Sequence, residues 1–249
     1  MARNMILGGK MQVEAVLFDL FDTLLILDDG EAYYTPSLMK LWEFLAKKEV
    51  KVSFDEFRQA YFEVTDEFYS ESRNSLEEPH FNIRVSETLK RLGYEFNASD
   101  PVVSGATMAF AEEFMHYVRL DSDTIDVLQK LSKKYKIGLV SNFAIPECGR
   151  KLLEKFDLEK FLDVVIISGE INQRKPSPKI FEKALRSLGV DASKAVFVGD
   201  MLDLDVKGPK SVGITAILIE RRPIRHVPDA KPDHTIKSLN ELLTILEDC

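Results

Sequence analysis

The sequence predicts an α/β protein with a three-layer core, in which helices cover both faces of a parallel sheet, and an inserted four-helix cap. From residue 121 onward, short apolar strand patterns alternate with helix patterns, and that alternation is typical of a parallel sheet. Residues 30–119, which follow the first strand, show helix patterns only. We therefore assign residues 12–29 and 120–249 to the core and residues 30–119 to the cap.

The core strands are short apolar runs, beginning with residues 13–18 (VEAVLF). Such runs are typical of parallel strands that are buried on both faces. The further predicted strands are residues 137–140, 164–167, 195–198 and 216–219. The predicted core helices are residues 123–135, 145–156, 177–188, 203–212 and 238–246.

Four helices are predicted in the cap from apolar residues at helical spacing. These residues are Leu38, Leu41, Trp42 and Leu45, then Phe54, Phe57, Tyr61 and Phe62, then Ile83, Thr88, Leu89 and Leu92, and finally Met108, Ala111, Phe114 and Met115. Ser53 and Glu56 form a capping box for the second helix. Pro36, Pro79 and Pro101 predict where the other three begin.

The composition excludes several classes of protein. The chain has 249 residues, of which 45% are hydrophobic, as in an ordinary globular protein. Its net charge of −8 argues against nucleic-acid binding, which needs a basic surface. No apolar run is long enough to cross a bilayer, and two cysteines do not make a disulfide framework. We expect a cytoplasmic monomer or homodimer that acts on a small anionic molecule.

Polar residues follow three of the predicted strands, where ligands bind in parallel sheets. Asp19 follows the first strand, Ser141 and Asn142 follow the second, and Asp200 follows the fourth. Each could simply cap a turn. Two carboxylates at one sheet edge, however, repel each other unless a cation lies between them, and oxygen ligands suit Mg²⁺.

Lys175 lies in a loop with prolines close behind it, at positions 176 and 178. The prolines stiffen the loop and restrict where the ammonium group can reach. The alternative is an exposed lysine, which is the usual fate of this residue type.

Four motifs together resemble the haloacid dehalogenase-like superfamily, in the subgroup whose helical cap is inserted after the first strand. They are residues 18–24 (FDLFDTL), 139–142 (LVSN), 175–181 (KPSPKIF) and 198–200 (VGD), the last followed by Asp205 and Gly208. The motifs occur in the family's order over residues 13–249. The resemblance implies a Rossmann-like core and hydrolysis through a covalent aspartyl intermediate.

The resemblance also implies a nucleophile and a metal site. Asp19 would attack the substrate, a known use of carboxylates. For a phosphoryl substrate, Mg²⁺ would be held by Asp19, Asp200 and the backbone carbonyl of Phe21, and would offset the repulsion between carboxylate and phosphate.

The remaining motif residues would support this chemistry. Ser141 and Asn142 would bind the substrate, with the Ser141 hydroxyl on a phosphoryl oxygen. Lys175 would hold the nucleophile in place and offset charge in the transition state. Asp205 would orient Lys175 or a metal-bound water without contacting the substrate itself.

Phe21 departs from the phosphatase pattern, in which the residue two positions after the nucleophile is an acid/base aspartate. Phenylalanine cannot protonate a leaving group, and the adjacent Asp22 is expected to point elsewhere. Positioned proton transfer contributes about 10²- to 10⁴-fold to a rate. We therefore expect slow hydrolysis of alkyl phosphates and faster hydrolysis of esters with good leaving groups.

Three functions remain open. The first is a Mg²⁺-dependent phosphatase of a small phosphorylated metabolite. The second is a metal-free 2-haloacid dehalogenase, which resembles this chain in carrying an aromatic residue at the position of Phe21, although Asp200 argues against it. The third is a catalytically impaired binding protein on the same fold. In each case the cap is expected to act as a lid, with Tyr33 and Tyr34 as candidates for substrate contact.

Overall fold

The computed structural model describes residues 12–28, 30–221 and 230–247. Its strands are β1 (Ala15–Phe18), β2 (Leu25–Leu27), β3 (Val118–Leu120), β4 (Lys136–Ser141), β5 (Val164–Ile167), β6 (Ala195–Gly199), β7 (Thr215–Ile219) and β8 (His234–Ile236). Six of them form a parallel sheet in the order β5-β4-β1-β6-β7-β8, and β2 pairs with β3 in an antiparallel ribbon. The five predicted core strands are all present.

The helices in these ranges also follow the predicted order. They are α1 (Gly30–Ala46), α2 (Phe54–Ser75), α3 (Phe81–Arg91), α4 (Pro101–Phe114), α5 (Thr124–Leu131), α6 (Pro146–Lys155), α7 (Ser168–Ile171), α8 (Pro178–Leu188), α9 (Gly208–Lys210) and α10 (Glu241–Glu247). None of the described helices is long and apolar enough to cross a membrane.

Helices cover both faces of the sheet because alternate residues of each strand point to opposite sides. On β1, Val16 and Phe18 belong to one buried cluster together with residues of α5, α6 and α10. Ala15 and Leu17 belong to a second cluster, which contains the apolar side of α8. This arrangement confirms the α/β fold with three layers.

Helices α1 to α4 follow β2 and precede β3 along the chain, and they pack on one another. Their buried side chains, among them Leu41, Phe57 and Phe110, continue the cluster that covers one face of the sheet. The capping box at the start of α2 is confirmed, since Glu56 accepts hydrogen bonds from the backbone and hydroxyl of Ser53 at 2.8 and 2.7 Å. The division into cap and core at residues 30 and 119 stays a proposal.

Several expectations for the elements were wrong. Pro36 does not begin α1 but lies inside it, because the helix begins at Gly30. Phe62 and Ile83 are exposed, by 42% and 37%, and so do not belong to the buried sides of α2 and α3, whereas the other apolar residues predicted there are buried or partly buried. The ribbon strands and β8 were not predicted, because each has only three residues and β8 exposes two of its three.

The cap core gives a test of packing in which two phenylalanines of α2 are compared. Phe57 is fully buried and Phe62 is 42% exposed. Phe57→Ala should lower the free energy of unfolding by about 3–5 kcal/mol, because it leaves a cavity. Phe62→Ala is the matched control and should cost clearly less. Denaturant unfolding of both variants measures the difference, and equal losses would contradict the packing described here.

Candidate active site

Three of the predicted site residues lie at one edge of the sheet. In β1, Phe18 pairs with Leu139 of β4 on one side and with Val198 of β6 on the other. Asp19 follows directly, and its backbone N–H donates to the carbonyl of Val198 at 2.9 Å. Ser141 and Asp200 lie two residues beyond these partners, so the register brings both beside Asp19.

Lys175 joins this edge through a fully buried ammonium group. Its Nζ donates to Oδ1 of Asp19 and to Oδ1 of Asp205, both at 2.7 Å, and its side chain is only 1% exposed. Burial alone would lower the pKa of this group, but the charges of Asp19 and Asp205 outweigh burial and raise it. Lys175 is therefore a permanently charged partner of both carboxylates.

Asn142 holds the backbone of Lys175 from both sides. Its Oδ1 accepts from the Lys175 N–H at 2.7 Å, and its Nδ2 donates to the Lys175 carbonyl at 3.0 Å. This clamp is a positioning contact that the sequence did not indicate. The predicted contact of Asn142 with substrate stays a prediction, and its second Nδ2 hydrogen is compatible with it.

Asp205 reaches Lys175 from a π-helical turn, Leu202–Lys207, that precedes α9. The predicted regular helix over residues 203–212 was therefore wrong. The turn lets the second oxygen of Asp205 accept from the Met201 N–H at 3.0 Å. Gly199 is needed at the end of β6, because a Cβ there would lie 2.5 Å from Cβ and Cγ of Asp205. Both Asp205 oxygens are thus engaged, as suits a positioning residue.

The site carries more negative than positive charge. Oxygen atoms of Asp19, Asp200 and Asp205 all lie within 4.8 Å of one another. Burial and the nearby charges of Asp19 and Asp205 raise the pKa of Asp200 to about 8. Asp200 accepts no hydrogen bond from any residue in the described ranges. Its crowded, unbonded carboxylate fits a divalent cation bound by hard oxygen ligands.

Ser141 provides a hydroxyl group beside these carboxylates. The residue is 1% exposed, and its Oγ has no hydrogen-bond partner in the described part of the chain. A buried hydroxyl without a partner costs free energy, so one that lies at a site suggests a ligand contact.

Phe21 lines a cavity of about 260 Å³, together with residues of helices α1–α4 and of the core. Its ring makes edge contacts with the rings of Phe114 in α4 and of Phe143, with centroid separations of 5.7 and 5.0 Å. Tyr33 and Tyr34, which were candidates for substrate contact, also line the cavity. Phe21 therefore forms an apolar wall at the point where a proton donor was missing from the sequence.

Asp22 makes a structural contact in the loop after β1. Its Oδ1 accepts from the backbone N–H of Leu27 at 3.3 Å, which ties the loop after β1 to the ribbon strand. Asp22 also adopts a left-handed backbone conformation, with φ of 53°. These features give it a structural role in the turn.

Residues 13–213 match the family model described as haloacid dehalogenase-like hydrolase. The chain belongs to this family. A protein named glyceraldehyde 3-phosphate phosphatase from Methanopyrus kandleri is 30% identical over 245 residues, which make up 95% of this chain and 98% of that protein.

Two solved structures show the same fold. A HAD phosphatase from Thermococcus onnurineus has a TM-score of 0.66 at 30% identity, and the match covers 95% of this chain and 99% of that one. A 2-haloacid dehalogenase from Pseudomonas syringae pv. Tomato DC3000 has a TM-score of 0.70 at 24% identity, and covers 94% and 98%. The chain is thus a haloacid dehalogenase-like hydrolase with the α/β fold of its family.

Three charged residues of the cavity escaped the sequence reasoning. Arg84, Arg174 and Glu78 also line it, and Arg174 lies 3.4 Å from Glu78. Arg84 lies on the buried side of α3 together with Phe81 and Val85. A charge beside these two apolar residues is a signal that could have identified Arg84, had Phe81 and Val85 been included in the predicted apolar side of the helix.

The raised pKa of Asp200 predicts how the stability of the metal-free hydrolase depends on pH. Between the ordinary aspartate value of 3.8 and about 8, the folded protein holds a proton that the unfolded chain has lost. Stability should therefore fall as the pH rises through that window. Asp200→Asn should remove most of this loss, which thermal melting in EDTA would measure. Asp203→Asn changes an exposed neighbour in the same turn and should keep the wild-type dependence of melting temperature on pH. The same dependence in Asp200→Asn would contradict Asp200 as its cause.

Proposed function

We propose that this hydrolase is a Mg²⁺-dependent phosphatase of a small phosphorylated metabolite, working through a covalent intermediate on Asp19. The observation that carries the proposal is the carboxylate of Asp19, held by a buried lysine at the sheet edge with Asp200 beside it. The phosphatase name of the relative from Methanopyrus kandleri supports the choice of substrate class.

Asp19, Asp200 and the backbone carbonyl of Phe21 would hold the Mg²⁺ ion. Asp200 suits this role better than Asp205, because both oxygens of Asp205 are already hydrogen-bonded. When bound, the ion supplies positive charge that reduces the repulsion between carboxylate and phosphate and aligns the phosphoryl group.

In the first step, a carboxylate oxygen of Asp19 attacks phosphorus while the bond from phosphorus to the ester oxygen breaks. The product is an aspartyl phosphate, and the electron pair of the broken bond leaves with the alcohol oxygen. Lys175 keeps the carboxylate in place and offsets the charge that develops on the phosphoryl oxygens. The unpartnered hydroxyl of Ser141 donates to one of these oxygens.

In the second step, water attacks the aspartyl phosphate, inorganic phosphate leaves and the Asp19 carboxylate is restored. Lys175 again balances the negative charge in the transition state. Phe21 supplies no proton to the departing alcohol and no base to the water, so both proton transfers fall to solvent. Helices α1–α4 act as a lid in this proposal, and close the cavity through the contact of Phe114 with Phe21.

A 2-haloacid dehalogenase is the second candidate, favoured by Phe21. Its aromatic ring lines the cavity beside the nucleophile, and a halide needs no proton to leave. The likeness to the dehalogenase from Pseudomonas syringae, at 24% identity, supports the fold alone. Asp200 weighs against this function, since a metal-free site would leave its buried carboxyl group without a cation and with a pKa raised to about 8.

Asp19→Asn tests the nucleophile. The amide keeps the volume of the side chain but cannot attack, so turnover of phenyl phosphate with Mg²⁺ should fall by at least about 10³-fold. Asp203→Asn, which changes an exposed carboxylate nearby, is the control. Trapping of radioactive phosphate on the wild-type chain, and none on the variant, would identify the intermediate. Retention of more than a few per cent of the activity would refute the covalent role.

EDTA separates the two candidate functions. It should silence the phosphatase, and added Mg²⁺ should restore it, because Asp200 then regains its cation. 2-Chloropropionate is assayed beside phenyl phosphate under both conditions. Release of chloride that persists in EDTA, without phosphatase activity, would favour the dehalogenase.

Phe21 predicts a steep dependence on the leaving group. Without a proton donor, the rate should rise as the pKa of the leaving alcohol falls, so aryl phosphates should be cleaved at least about 10²-fold faster than alkyl phosphates. The measurement is kcat/KM over a series of esters. Phe143→Leu trims another ring of the same cluster and should keep the slope. Equal rates on aryl and alkyl esters would show that another group supplies the proton.

A further inference from the structure

We propose, building on the phosphatase activity proposed above, that Arg84 binds a carboxylate on the part of the substrate that occupies the cavity. The substrate class would then be phosphate monoesters of hydroxy acids, with the phosphoryl group at Asp19 and the carboxylate at Arg84.

Arg84 is a buried cation with unused hydrogen-bond donors. The residue is 9% exposed and lines the cavity. Its Nη1 donates to the hydroxyl of Tyr61 at 3.3 Å, whereas its Nε is buried without a partner. In the described ranges Arg84 makes no ion pair. An arginine stays charged at any ordinary pH, so burial without a counter-ion is costly.

Two aromatic rings flank the guanidinium group of Arg84. Its Cζ lies 5.4 Å from the ring centroid of Phe81 and 5.5 Å from that of Tyr69. Rings at this distance interact with the face of the guanidinium group, and hydrogen bonds leave from its edge. A carboxylate fits such an edge with two parallel hydrogen bonds.

The acid that lies closest in the cavity is already paired. Glu78 is 7% exposed and lies 3.4 Å from Arg174, and the charge of Arg84 also acts on it, so two cations share one carboxylate among the described residues of this cavity. A ligand that brings one negative charge therefore suits this end of the cavity better than one that brings two.

The cavity extends from this cation to residues that lie next to the nucleophile. Phe21 and Asn142 line it at the end next to Asp19 and Lys175. Between the two ends the walls include the rings of Tyr33 and Phe114. An apolar chain between a phosphate and a carboxylate fits this sequence of surfaces.

The test uses straight-chain phosphate monoesters that end in a carboxylate, each compared with the methyl-ended ester of the same length. In the wild type, kcat/KM should favour the carboxylate ester at one chain length by about 10- to 100-fold, the range expected for charge-assisted hydrogen bonds. Arg84→Met should reduce that ratio towards one, mainly through KM, and Arg84→Lys should restore part of it. Arg91→Met, at an exposed position of the same helix, should keep the ratio.

Each outcome decides the proposal. The wild-type ratio needs no variant, so a ratio near one at every chain length would overturn the carboxylate site even if Arg84→Met fails to fold. A ratio that survives in Arg84→Met would overturn it as well. Hydrolysis of both esters at equal rates would leave the phosphatase intact, whereas no hydrolysis of any ester with Mg²⁺ would refute the phosphatase and the substrate class together.

Discussion

The buried ammonium group of Lys175 is the constraint on which the site depends. It has two carboxylate partners, and removal of one partner from a buried ion pair typically costs about 3–5 kcal/mol. The three groups come from the loop after β1, the loop before α8 and the turn after β6. Gly199 makes room for Asp205, and Asn142 holds the Lys175 backbone. Correct assembly of the core therefore also places Asp19 beside Lys175.

Phe21 links this rigid centre to the helices above it. An aspartate at its position would add another negative charge to a cluster in which burial and neighbouring carboxylates already raise the pKa of Asp200. An aromatic ring avoids that charge and instead packs against Phe114 and Phe143. The chain thus gains an apolar contact between the loop after β1 and α4, and has no carboxyl group at position 21.

The core and the central residues of the site could be predicted because both follow from local patterns. Continuous apolar runs indicate buried parallel strands, and the carboxyl ends of neighbouring strands meet, so Asp19 and Asp200 had to lie together. The π-helical turn that carries Asp205 depends on its hydrogen bonds with Lys175 and Met201, which no local pattern encodes. The strand β8 was missed for a similar reason, since its pairing with β7 rather than its composition makes it a strand.

Arg84 could be recognised from the sequence only when the buried side of α3 is known. The buried side of α3 carries Phe81, Arg84 and Val85, so a charge occupies a position where helical periodicity demands an apolar group. An unpaired buried atom alone is weak evidence, because the hydroxyl of Thr107 is also buried without a partner. A neutral hydroxyl costs about 1–3 kcal/mol in that state, and a charged group costs more. Arg84 therefore differs from Thr107 in two ways: its burial costs more free energy, and it lines the cavity. These two differences favour a ligand contact for Arg84. Ser141 does not line the cavity itself, although its neighbour Asn142 does. For its unpartnered hydroxyl, the argument for a ligand contact is the proximity of Asp19.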